Sequence, residues 1–132
     1  MKYIIMIVIV LGLAVADFLT GIMKAYVKED LSSRAMRRGG VNKICELVVM
    51  VTACGLEYGI DLLGAYYQSP ALAEVAGIAA SGAVFVYIVI MELISILENY
   101  GEINPDAVWV RTIMRKLRSF TSKNNDKEDD EK

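Results

Sequence analysis

Residues 3–23 (YIIMIVIVLGLAVADFLTGIM) form an apolar run of 21 that carries one charge, Asp17. At 1.5 Å per helical residue the run is about 31 Å long, which matches the hydrocarbon core of a bilayer. Two further runs follow. The second, 44–66, is more polar and holds Glu46, Glu57 and Asp61. The third, 71–97, has Glu74 near its start and Glu92 near its end. Between them lies Tyr66-Tyr67-Gln68-Ser69-Pro70, a short turn with tyrosines suited to the membrane interface and a proline that breaks helix. Of the 132 residues 55% are hydrophobic, so composition and periodicity agree. The expected fold is all-α and multi-pass. It has a membrane domain at 1–98 with three transmembrane helices, an amphipathic helix within 99–120 and a disordered charged tail at 121–132.

Basic residues set the expected orientation. Lys24, Lys28, Arg34, Arg37, Arg38 and Lys43 follow the first run, and seven more follow the third, so 13 of 14 lie on one side. The positive-inside rule makes that side cytoplasmic, with the N-terminus outside and the C-terminus inside. A cleaved signal peptide ending near Ala14-Val15-Ala16 is the competing reading. It would require the loop 24–43, with its six basic residues, to be translocated, and charge decides against it.

Several function classes fall away at this stage. There is no histidine, which excludes Ser-His and Cys-His catalysis and imidazole metal sites. A net charge of −2 argues against nucleic acid as partner. Cys45 and Cys54 on one helix would be about 13 Å apart, too far for a disulfide. No nucleophile–base pair, glycine-rich phosphate loop or metal-ligand cluster is present, so no enzyme activity, cofactor or metal is expected.

Outside the spans, Ser32 and Ser33 are placed to cap a short helix that ends at Gly39-Gly40. The basic residues of this loop either set topology alone or also hold anionic lipid headgroups. Asn104-Pro105 reads as a helix start. Beyond it Val110, Ile113, Met114, Leu117 and Phe120 share one face, and Arg111, Arg115 and Arg118 the opposite one. With Trp109 this makes a basic amphipathic helix that either lies on the membrane surface or packs against a neighbouring subunit.

Ionisable groups inside a span are costly and are therefore candidates for function. Asp17 and Glu92 lie about 10 Å inside the basic boundary, and Glu46 about 5 Å. Glu57 and Asp61 lie deeper, with no basic residue expected in reach. Glu46, Glu57 and Asp61 share a helix face, since eleven residues are close to three turns and four are close to one. The structural alternative for each acid is that it is protonated, or paired with Lys24 or Lys43. Small residues mark close helix contacts: Gly12 and Ala16 in the first span, Gly55 and Gly59 in the second, Gly77 and Ser81 in the third. Three spans are not expected to bury this much polarity in one monomer. Homo-oligomers are therefore expected, with Glu46, Glu57, Asp61, Asp17 and Glu92 at a subunit interface or lining a lumen.

Two stretches carry a resemblance. One is Asp17-Phe18-Leu19-Thr20-Gly21-Ile22-Met23-Lys24-Ala25, followed by Leu31-Ser32-Ser33 and Gly40-Val41-Asn42-Lys43. The other is Glu92-Leu93-Ile94-Ser95-Ile96-Leu97-Glu98-Asn99, followed by Gly101 and Pro105. In order and spacing, from about residue 17 to about residue 118, the chain resembles the bacteriophage holin family, which also includes clostridial toxin-secretion holins. It departs in its acidic second span and in Arg37-Arg38. The resemblance implies a small protein of the bacterial inner membrane, made late in phage infection. Such a protein accumulates and then forms lesions that release endolysin, a cargo it does not bind directly. An antiholin that restrains a partner holin stays open as an alternative, as do a small ion-coupled transporter or channel subunit and a passive scaffold.

Overall fold

The computed structural model describes the backbone of residues 1–129 and the side chains of residues 1–119. Four helices follow in order: α1 Lys2–Val27, α2 Ser33–Tyr66, α3 Pro70–Ile103 and α4 Val108–Asp129. The first three are long and apolar enough to cross a membrane. Within their most apolar windows only 17%, 28% and 22% of residues are buried inside the chain. The apolar surface therefore points outward, the inverse of a water-soluble bundle and the arrangement hydrocarbon requires.

Short connections make consecutive helices antiparallel, so α1 and α3 run the same way with α2 against both. Both connections use the same stop. At the end of α1, Glu29 takes a positive φ of 55°, its N–H bonds Tyr26 O, and Asp30 N–H bonds Ala25 O. At the end of α2, Gln68 does likewise at φ 55°, with Gln68 N–H on Ala65 O and Ser69 N–H on Gly64 O. These are Schellman caps, which satisfy the last carbonyls of a helix. Pro70 then opens α3, where its missing N–H costs nothing.

Two expected helix boundaries move. Gly39 and Gly40 do not end a helix, because α2 runs unbroken from Ser33. The Phe18 ring of α1 packs beside them, 3.9–4.0 Å from where their Cβ atoms would be. Ser32 does cap α2, its Oγ accepting from Ala35 N–H at 3.4 Å. Asn104 closes α3 instead of opening α4. Its carbonyl accepts from Ala107 N–H at 3.1 Å across Pro105 and Asp106, a turn with proline at its second position. As a result α4 begins at Val108. In place of the disordered charged tail expected at 121–132, the backbone continues α4 as helix through Asp129; the side chains there, and the backbone at 130–132, lie outside the described residues.

Packing is densest between α2 and α3. A Cβ on Gly64 would sit 2.1 Å from Ala73 Cβ, so only glycine lets the helices meet beside the turn. At mid-depth Val10, Met50, Cys54 and Ile88 form an apolar core, flanked by Tyr3, Met6, Ile7, Leu47, Val84 and Phe85.

Candidate functional site

Above and below that core lie two buried ionic clusters. Their depths follow from helix geometry: Lys2 and Asp17 are fifteen residues apart on α1, about 22 Å along its axis.

In the first cluster Glu57 is the centre, and only 1% of it is exposed. Lys2 Nζ donates to Oε1 and Ser81 Oγ donates to Oε2. Gly77, one turn before Ser81, opens the space, since a Cβ there would lie 2.9 Å from Glu57 Cγ and 3.4 Å from Asp61 Oδ1. Lys2 is half exposed and reaches inward from the end of α1. Glu57 thus has the basic partner that depth along α2 alone does not reveal. The antiparallel pairing of α1 with α2 sets residue 2 level with residue 57.

The second cluster is richer in acid. Lys43 Nζ lies 2.8 Å from Asp17 Oδ2, 2.7 Å from Glu92 Oε1 and 3.5 Å from Glu46 Oε2. One ammonium from α2 thereby faces carboxylates from all three spans. Asn99 Nδ2 adds hydrogen bonds to Asp17 Oδ1 at 3.0 Å and Thr20 Oγ1 at 3.2 Å. Glu46 Oε2 and Glu92 Oε2 are buried and accept no hydrogen bond from a described residue. Beside the cluster a cavity of about 500 Å³ reaches Asp17, Lys43 and Asn99 and continues to Lys24, Lys28 and Glu102. Glu102 pairs with both lysines, tying the end of α1 to the end of α3.

The three acids of α2 do share a face, and it is turned toward α3 of the same chain. A single monomer therefore does bury Asp17, Glu57 and Glu92, which the sequence reading placed at a subunit interface or a lumen, with pairing to Lys43 as the alternative that Asp17 and Glu92 show. The small residues divide. Gly77 and Ser81 line the intrachain contact, whereas Gly12, Gly55 and Gly59 have open space where a Cβ would be. Ala16 is half-buried on α1. Sequence reasoning gave no role in these clusters to Lys2 or Asn99: for Lys2 the only signal is the helix pairing, whereas Asn99 closes the second stretch that carries the resemblance and bonds Asp17 and Thr20 of the first.

At the far end α4 folds back on α3. Val110 is fully buried, 3.4 Å from the Cβ position of Gly101. Trp109 stays 54% exposed, its ring 5.8 Å from that of Tyr100. Arg118 pairs with Glu98, while Arg111 and Arg115 are exposed.

A family model described as the bacteriophage holin family matches residues 2–119, which takes in all three spans and both ionic clusters. The chain belongs to that family. No curated protein and no solved structure matches it. Holins are a family of non-enzymatic membrane proteins, and three helices long and apolar enough to cross a membrane agree with a membrane protein. In this holin-family chain the buried acids are held by lysines and neutral donors of the same molecule.

Proposed function

We propose that the chain acts as a holin: it inserts in the bacterial inner membrane, accumulates, and at a set time assembles into lesions that let endolysin reach the cell wall. The observation that carries this reading is the family match across residues 2–119. The fold is compatible with it in two ways. A closed monomer with its acids paired inside presents lipid with an apolar exterior, so it can accumulate harmlessly. Gly12, Gly55 and Gly59 remain open on that exterior and suit close contacts with further copies.

In this reading the N-terminus is outside and the basic end is cytoplasmic, with Arg34, Arg37 and Arg38 clustered where anionic headgroups lie. Exposed Trp109 with Arg111 and Arg115 extends that surface along α4. The carboxylates become lumen groups only if the helices part on assembly.

Induced expression in a bacterium tests the proposal by following membrane potential, culture density and leakage of a folded cytoplasmic enzyme. Abrupt depolarisation with enzyme release after a delay, advanced by an uncoupler, is expected. Depolarisation without enzyme release would assign a small channel or ion-coupled transporter instead. No effect alone, combined with delayed lysis beside a known holin, would assign an antiholin.

A further inference from the structure

Around Lys43 three carboxylates meet one ammonium, and the hydrogen bonds do not close. Asp17 takes Lys43 and Asn99, and Glu92 Oε1 takes Lys43. Glu92 Oε2 is left buried and unpartnered on a residue that is 1% exposed. Glu46 Oε2 is also buried and accepts no hydrogen bond, 3.5 Å from the same Lys43 Nζ that lies 2.7 Å from Glu92 Oε1, so the two carboxyl groups converge on one ammonium. Ionised carboxylates only accept, so two of them in contact repel. A buried acceptor without a donor is a standing cost, and a proton between the two removes both penalties at once.

We propose that Glu46 of α2 and Glu92 of α3 hold one proton between them, forming a proton-binding site at the Lys43 end of the bundle. The groups that face the pair are Asp17 from α1 and Lys43 from α2, with Lys24, Lys28 and Glu102 farther along the adjoining cavity. A metal cation suits the place poorly. Lys43 Nζ already occupies the centre, 2.7 Å from Glu92, and would repel a second cation there. Among the described residues no group of acids has metal-holding geometry. Glu46, about one-third exposed, gives the proton its way in and out. With the proton bound, a hydrogen bond ties α2 to α3. Once it leaves, like charges face each other across the same contact, and that end of the bundle loosens.

The site does not depend on lesion formation, and its test does not use lysis. Infrared difference spectra of the full-length protein in lipid vesicles read it directly. A protonated-carboxyl carbonyl band, shifting in D₂O, is expected near neutral pH and is expected to disappear in alkali. It should be lost in both Glu46→Gln and Glu92→Gln and kept in Glu57→Gln. Absence of the band from the wild-type protein near neutral pH overturns the proposal, and so does a band that survives both substitutions. If sodium or potassium raises the thermal midpoint at constant ionic strength while the band is absent, the site belongs to a cation and the proposal fails. Should a glutamine variant not fold, judged by circular dichroism, the wild-type band and its titration decide alone.

Discussion

Lys43 neutralises part of a cluster drawn from all three spans, and its side chain is 18% exposed. Removing one partner of a buried ion pair leaves an uncompensated charge, typically at a cost of about 3–5 kcal/mol. Lys43→Met is therefore expected to lower stability by about 3 kcal/mol. Unfolding in micelles, followed by fluorescence of Trp109, the one tryptophan, measures it. Lys43→Arg keeps the charge and should lose less. The acids themselves were legible in the sequence, because each ionisable group inside an apolar run stands out. Their partners were legible only in part. Lys43 lies three residues from Glu46 and within reach of Asp17 on simple depth reckoning. Lys2 is fifty-five residues from Glu57, and only the packing of α1 against α2 brings them together.

At the scale of elements, the tightest approach belongs to Gly64 and Ala73. Overpacking of a filled contact costs typically about 1–3 kcal/mol, and Gly64→Val should lie at the upper end because Ala73 Cβ cannot retreat. A lower thermal midpoint in micelles with unchanged helicity at low temperature is the expected outcome. Gln68 provides the opposite case. It holds a left-handed conformation in the α2 cap, where a side chain is disfavoured and glycine is not. Relief of a left-handed penalty of about 1–2 kcal/mol, less glycine's entropic cost of about 0.5–1 kcal/mol, leaves Gln68→Gly expected to raise stability by about 0.5–1 kcal/mol in the same unfolding experiment. The three apolar runs and the turn between the last two were plain in the sequence, since hydropathy and Pro70 report on them locally. Gly39 and Gly40 misled because a glycine pair often ends helices, whereas here α2 continues through both and packs them beside the Phe18 ring of α1. Asn104-Pro105 misled in the same way: one residue served α3 before it could serve α4.

For the whole molecule, the outward glycines predict how copies meet. Replacing Gly55 and Gly59 together by leucine should leave the folded monomer intact, since nothing lies within 4 Å of either Cβ position. It should also abolish multimers trapped by chemical crosslinking in membranes. A crosslinking ladder identical to wild type would remove these glycines from the assembly surface. The layering of the interior has a consequence for current as well. Val10, Met50, Cys54 and Ile88 fill the space between the two ionic ends, and the surrounding side chains seal it. An ion entering at either end meets a hydrocarbon seam with no acceptor to replace its water. The folded single chain is thus expected to behave as an electrical insulator, with any conducting path drawn between molecules instead of through one.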